Sequence, residues 1–461
     1  MSVVQDLAAF VVGRSYEDLS AAAVDALKVR ILDSLACAIG ALDGEPTRLI
    51  RAHLDDFGGT PRCTLLGGGR SSPDRAAFYN AALVRYLDFN DSYLAKGETC
   101  HPSDNLGAVL AAAEYTDASG KDVLTALAVA YQVQCRLSDV APVRGKGFDH
   151  TTQMAYAAAA GAARALGLDA GRTANAIAIA GTAFNALRVT RTGALSHWKG
   201  LAAPSTAFAA THAAFLAMRG ISGPREVFEG NKGFMDSIAG RFDLDWSKED
   251  LERVTRTVVK KYNAEIHSQS SIEGLLELRD EAGFHSDDVV SIDVQVFDVA
   301  HNIIGGGEEG SKVIVRTKEE ADHSLNYMLA VALLDGTVMP EQYRPERIVR
   351  PDVQDLLRRI RIRPRQDFSD RFPAEMPSRL TVHLKDGRTV EREKRDYEGF
   401  TTRPMTWEGA LRKFHALASP YTEETLRGQI VDAVAKLDAI SIADVTKLLA
   451  KVGTTTGKGR R

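Results

Sequence analysis

Cysteine is scarce in this chain of 461 residues: Cys37, Cys63, Cys100 and Cys135 are all there is, and no two of them form a Cys-x-x-Cys pair. That argues against a structural zinc site and against a cysteine-held iron–sulfur cluster, so any chemistry is expected to run on acid–base side chains. Cys100 stands beside His101, but neighbours in sequence need not be neighbours in space, and we read it as an ordinary cysteine rather than an activated thiol. Uncharged apolar runs approaching the roughly 20 residues that a membrane span needs are lacking too. The N-terminus, Met-Ser-Val-Val-Gln-Asp-Leu-Ala, has an early acid and no basic region ahead of an apolar one, which does not describe a signal peptide. A cytosolic protein is the expectation. Nor is there a basic excess: 57 Lys and Arg against 61 Asp and Glu give a net charge of −4, which argues against a general nucleic-acid binder. No internal repeat is visible at a period of 20 to 50 residues.

What is present is an ordinary globular composition, 44% apolar and 26% charged, on a chain long enough for two or three domains. Residues 1 to 43 read as two helices around Arg14-Ser-Tyr-Glu-Asp-Leu-Ser, with Val24, Leu27, Ile31 and Leu35 at helical spacing in the second. Gly67, Gly68 and Gly69 lack the Gly-Lys-Ser/Thr ending of a phosphate loop and read as a turn. Helices are expected from Asp74 to about 86, over 105 to 115, 121 to 135, 170 to 187 and 201 to 219, and in the alanine-rich run after Met154. After about 290 the period changes. Val290, Ile292, Val294 and Val296 alternate with polar residues, as do Ile360 and Ile362, and Leu380, Val382 and Leu384. Asp386-Gly387 after the last of these is a hairpin signal, while Asp322 to Gly336 reads as a buried helix. Helical periodicity returns over 405 to 450, and the stretch from Gly453 to Arg461 reads as a disordered tail. The fold class expected is therefore mainly α: a large all-helical domain, 1–265 plus 405–461, interrupted by a smaller α+β domain, 266–404.

One short connection stands out. Between two Ala- and Leu-rich segments, Leu87 to Asn105 packs Asp88, Asp91, Ser92, Lys96, Glu98, His101, Ser103 and Asp104 together. Acids, hydroxyls and a histidine placed between apolar helices each require a hydrogen-bond partner, which an ordinary connection would not need. Its wording, Asp88-Phe-Asn-Asp-Ser-Tyr and then His101-Pro-Ser-Asp-Asn-Leu-Gly, resembles the signature of the MmgE/PrpD family, whose members include 2-methylcitrate dehydratases and cis-aconitate decarboxylases. The dehydratases read His-Pro-Ser-Asp-Asn, whereas the decarboxylases lose the Asp-Asn that this chain keeps as Asp104 and Asn105. Two further stretches resemble the family: His150 in a Gly-x-Asp-His context, and Tyr262-Asn-Ala-Glu-Ile-His-Ser-Gln269, where Asn263 replaces the usual proline. The chain departs from its relatives in one more place. They carry a lysine five residues before the glycine aligned with Gly200; this chain has Leu195 there, and Lys199 lies about one helical turn further on.

The resemblance implies a homodimeric hydro-lyase that needs no cofactor and no metal and acts on a tricarboxylate. Removing water from such a substrate requires a base for a C–H proton beside a carboxylate and an acid for the departing hydroxyl, both within reach of histidine near neutral pH. His101 and His150 are the candidates, with Asp88 or Asp91 orienting an imidazole. Lys199, Lys260 or Lys261, and His267 are candidates for binding substrate carboxylates; Ser92 and Tyr327 for binding oxygens, Tyr327 on the resemblance of its His-x-x-x-Tyr context. The histidines at 53, 197, 212, 285, 301, 323, 383 and 415 are taken as structural or surface residues. Alternatives within the family's fold are decarboxylation and dicarboxylate epimerisation, and outside enzymes a non-catalytic helical binding protein. If side chains alone do the chemistry, dialysis against a strong chelator leaves turnover unchanged; activity lost to the chelator and restored by iron or magnesium would contradict this.

Overall fold

The computed structural model describes residues 2–453 apart from Ala194 and Glu309; the tail expected after Gly453 lies outside the described residues. The fold is mainly α and the chain forms two compact units. One comprises the chain up to Arg191, Trp198–Thr257 and the segment from Thr406 onward; the other comprises Thr192–His197 and Val258–Met405.

The first unit is a helical bundle built on close approach. Its centre is Thr151–Ala165, buried along nearly its whole length and packed by Leu106–Thr116, Gly120–Val140, Ala170–Ala183 and Trp198–Met218. Small side chains make this possible: a Cβ at Gly161 would lie 3.0 Å from both Ala130 and Val109. Ala21–Gly40 starts at the Ser20 cap, which accepts from the Ala23 amide, and buries Leu27, Ile31 and Leu35 as the spacing predicts, with Val24 only half-buried. The C-terminal helix Trp407–Ala418 packs back on it.

Two expectations need correction. The first unit is not wholly helical, because Cys63–Thr64 pairs with Arg70–Ser71 and Tyr93–Ala95 with Glu98–Cys100. Ribbons of two or three residues around glycines with positive φ are too short to show an alternating pattern. Second, Trp198–Met218 is long and apolar enough by composition to cross a membrane, although most of it is buried in the bundle.

The second unit is α+β. Its four-stranded sheet runs in the order Ile360–Pro364, Val289–Val296, Ser378–Leu384, Thr389–Lys394, with the first pair parallel and the others antiparallel. Ile292, Val294 and Val296 alternate onto the buried face with Leu380, Val382 and Leu384, and Gly387 turns the hairpin at φ 87°. Helices Gln269–Ala282 and Leu325–Asp335 pack on the sheet. The stretch 258–265 belongs to this unit, ahead of the expected boundary, because the Val259 amide donates to Gly399 and the Asn263 amide to Val338. The latter bond also gives Asn263 a role that proline, which has no N–H, could not fill.

Candidate active site

In the first unit the Leu87 to Asn105 connection folds into a hydrogen-bonded cage. Asp88 follows the helix Pro73–Tyr86 with φ 54°, a left-handed conformation that costs a non-glycine residue energy. Its carboxylate accepts from Arg85 Nη1 at 2.6 Å and lies 3.4 Å from Lys199 Nζ. The Tyr93↔Cys100 register of the small ribbon then returns His101 to the side of Ser92. His101 Nδ1 lies 2.8 Å from the Asp91 carbonyl and 3.1 Å from Ser92 Oγ. A carbonyl can only accept, so Nδ1 carries the proton and Nε2 is the basic nitrogen of the ring.

The carboxylate of Asp91 has other work. It accepts from the Ser103 amide at 3.0 Å and from the Tyr131 hydroxyl at 2.7 Å, and burial pushes it up against those bonds. Of Asp88 and Asp91, the two residues expected to orient an imidazole, the second meets His101, and does so with its carbonyl. Asp91 acts on His101 through its main chain, and Asp88 is occupied with cations.

His150 stands at the N-terminal mouth of Thr151–Ala165, its ring 5.2 Å from that of His101 between centroids and tilted 72° to it. Arg191 Nη2 lies 3.1 Å from His150 Nε2 while its Nε and Nη2 grip Asp149 at 2.7 and 3.3 Å. Guanidinium cannot accept, so Nε2 of His150 is the acceptor and Nδ1 bears the proton. That Nδ1 is buried and has no hydrogen-bond partner among the described residues. Burial, reinforced by Arg191, Arg85 and Arg188 and opposed by Asp149, drives His150 down to about 3, so it is neutral at ordinary pH. With a neutral ring the 3.7 Å approach of Asp149 Oδ1 to Nε2 is not an ion pair. Asp149 itself is pushed up by burial, yet Arg191 beside it holds it far below the usual carboxylate range.

Two imidazoles that both carry a proton on Nδ1 therefore face one another: His101 donates it to the Asp91 carbonyl and offers Nε2 as the basic nitrogen, while His150 accepts from Arg191 at Nε2 and offers Nδ1–H as a donor. Around them stand Arg85, Arg188, Arg191 and Lys199. Asp104 adds a third titrating group: burial lifts it to about 7 against the pull of Arg85 and Arg191, and its Oδ2, 3.7 Å from Arg85 Nε, accepts no hydrogen bond among the described residues. Lys199 is buried at the start of Trp198–Met218, and Arg191 Nη1 donates to its carbonyl. Leu195 is half-buried. Cavities of about 390 and 300 Å³ in this unit, the first lined by Leu187, Thr190 and Trp198 and the second by Asn185, Lys232 and Ser237, include neither histidine.

The second unit groups the other candidates. Glu265 accepts from the backbone amide of His267 at 2.8 Å and holds its Nδ1 at 2.7 Å, which leaves Nε2 buried without a hydrogen-bond partner among the described residues. Burial raises Glu265, but His267, His323 and Lys260 outweigh it and bring the carboxyl to about 2. Lys260 is buried, whereas Lys261, 33% exposed, is held 2.9 Å from both Glu273 and Glu398. Tyr327 is enclosed within the unit and its hydroxyl donates to the Gln342 carbonyl, so as placed it can offer a ligand only its oxygen lone pairs. His323, read as structural, forms an Asp–His pair with buried Asp322 at 2.7 Å.

Residues 5–247 match the MmgE/PrpD N-terminal domain and residues 262–439 the MmgE/PrpD C-terminal domain. The chain belongs to the MmgE/PrpD family. It is 28% identical to the mitochondrial 2-methylcitrate dehydratase of Yarrowia lipolytica, over 86% of this chain and 79% of that protein. It is 30% identical to the 2-methylcitrate dehydratase of Escherichia coli over 71% of each. The cis-aconitate decarboxylase of Mus musculus is 25% identical over 98% of this chain and 93% of its own length. With relatives so named, this member of the family is an enzyme of the lyase class.

Sequence reasoning missed Arg85, Asp149 and Arg191 as partners. Arg85 was signalled by its i, i+3 spacing from Asp88, and Asp149 by standing next to His150. Arg191 shares its connection with Arg188 and Lys199, with nothing in the sequence to single it out.

Proposed function

We propose that this lyase dehydrates a hydroxy-tricarboxylate such as 2-methylcitrate by acid–base chemistry that needs no cofactor. The observation that carries the reading is that the facing rings of His101 and His150 are held through opposite nitrogens, Nδ1 of His101 by the Asp91 carbonyl and Nε2 of His150 by Arg191. Nε2 of His101 takes the C–H proton beside a carboxylate; Nδ1–H of His150 protonates the departing hydroxyl, and the imidazolate so formed is held by Arg191 at Nε2 until the proton taken by His101 is returned to it. Negative charge that develops on the carboxylate is met by Arg85, Arg191 and Lys199, which are aimed before the reaction begins and so cost no reorganisation. Lys260 offers a further donor suited to a carboxylate and is preferred to Lys261 because it is buried near Glu265, and His267, with Nδ1 held by Glu265, would add Nε2–H as the imidazolium. Asp104 and Asn105 favour dehydration over decarboxylation, since the family's decarboxylases lose that pair.

Incubation with 2-methylcitrate, citrate and cis-aconitate, scored for unsaturated product and for released CO₂, tests the reading. Unsaturated product without CO₂ is expected. CO₂ from cis-aconitate would replace dehydration by decarboxylation, and no turnover of any of the three would overturn both.

The active form proposed is a homodimer in the cytoplasm. Support comes from apolar side chains left exposed on the first unit, Leu187 at 60%, Val189 at 69% and Trp198 at 50%. Light scattering at micromolar concentration is expected to give about 100 kDa, twice the 49.9 kDa of one chain. A mass near that of one chain would refute the dimer.

A further inference from the structure

Lys413 is a buried charge that the proposed chemistry does not use. It lies on Trp407–Ala418, and its ammonium donates to the main-chain carbonyl of Phe89 at 2.7 Å, across 324 residues of sequence. The same ammonium is 3.7 Å from the centroid of the Phe89 ring and 2.6 Å from Asp33 Oδ1. The Lys413 and Asp33 side chains are 5% and 1% exposed. Burial pushes Asp33 up, and Lys413 beside it opposes the shift.

Stability alone gives little reason for such a pair. Two charges taken out of water recover most of their desolvation cost from one another, and well-packed apolar residues of similar volume often do as well or better. An apolar pair could not, however, donate to Phe89. That carbonyl lies between Asp88, with its φ of 54°, and the Asn90, Asp91 and Ser92 run that contacts His101. A left-handed non-glycine residue persists only where its surroundings hold it, and a hydrogen bond to the next carbonyl fixes the plane of the following peptide.

We propose that Lys413 is a positioning residue: by gripping the Phe89 carbonyl it holds the 88–92 loop so that the Asp91 carbonyl and Ser92 hydroxyl stay against Nδ1 of His101. The proposal rests on the reading of His101 as an acid–base group. Asp33 is the counter-charge that allows the lysine to stay charged in a buried place, and the C-terminal segment thereby becomes part of the support for the reacting histidine.

The test uses the full chain in two forms, the double variant Lys413→Met/Asp33→Leu and the single variant Lys413→Arg. The first removes both charges, so no unpaired charge is left buried; the second keeps the charge but moves the donor. Both are expected to melt close to wild type, with kcat lowered roughly tenfold to a hundredfold by misplacement of the loop. KM stays within about threefold, since the cations that would bind substrate are untouched. In both, the His101 Cε1–H resonance, assigned with His101→Gln, shifts from its wild-type position, while that of the exposed His212 does not. A folded variant with wild-type kcat and an unmoved His101 resonance overturns the proposal. Should the double variant fail to fold, Lys413→Arg decides by the same two readouts. An inactive wild type would instead sink the dehydratase reading, and the His101 resonance would still report whether Lys413 places the loop.

Discussion

Turnover falls by at least about a hundredfold, roughly 3 kcal/mol of transition-state stabilisation, when either His101 or His150 is replaced with glutamine, while the protein stays folded. Glutamine preserves much of the polarity at each position but can neither take a proton as Nε2 of His101 does nor release one as Nδ1 of His150 does. At position 101 it can still donate to the Asp91 carbonyl, and at position 150 its carbonyl can still accept from Arg191, so the local hydrogen bonds survive in kind. A histidine with a purely structural role behaves differently: its loss strands a buried partner and costs roughly 1 to 3 kcal/mol of stability with no selective effect on the chemical step. Turnover and melting temperature measured together separate the two cases. Near-normal turnover in both variants refutes the assignment. The control is His212→Gln, because His212 is exposed and contacts Asp74 at 3.2 Å; its turnover stays within about threefold of wild type.

Much of the architecture was legible in the residues, and the reasons are local. The alanine-rich run after Met154 has both the propensity and the small side chains of a central bundle helix, and Asp386-Gly387 between alternating runs has the turn chemistry of a hairpin. Histidine, aspartate and hydroxyl groups between apolar helices marked the 87–105 connection, because buried polar groups need partners. Which partner each would find was not legible. That Asp91 offers its carbonyl to His101 and its carboxylate to Tyr131 depends on helix Gly120–Val140 passing beside the loop, a long-range fact with no trace in the motif. The pairing of Ser92 with His101 follows from a three-residue ribbon too short to be seen as strands. Lys260 and Lys261 are indistinguishable as letters, and the burial of the first and the hold of Glu273 and Glu398 on the second tell them apart. Arg191 shows the difficulty most clearly, for it is one of several basic residues in its stretch and its importance comes wholly from lying against Asp149 and His150.

Arg191→Met is expected to cost roughly 3 to 5 kcal/mol of stability, the usual consequence of removing one partner of a buried ion pair, and to lower turnover at least about tenfold. The stability loss has a sign in pH. In the wild type the folded-state carboxyl of Asp149 lies far below its ordinary value, so its contribution is fully present above the unfolded carboxyl pKa and is lost as the pH falls toward the folded one. Without Arg191 burial becomes the dominant influence and pushes Asp149 upward. The folded state then holds its proton at pH values where the unfolded chain has released it, and stability declines as the pH rises above the ordinary carboxylate range. The deficit of the variant relative to wild type is therefore larger at pH 8 than at pH 5, which urea denaturation at the two values measures directly. A deficit independent of pH would mean that Arg191 does not hold Asp149 charged. The catalytic loss has a separate origin: among the described residues the guanidinium is the donor to Nε2 of His150, and without it the proton can move there from Nδ1. Arg191→Lys distinguishes the two effects. A lysine restores charge beside Asp149 but cannot grip the carboxylate and the imidazole with one planar fork. The expected outcome is most of the stability regained with turnover still well below wild type, and full recovery of both would show that charge alone is what the position requires.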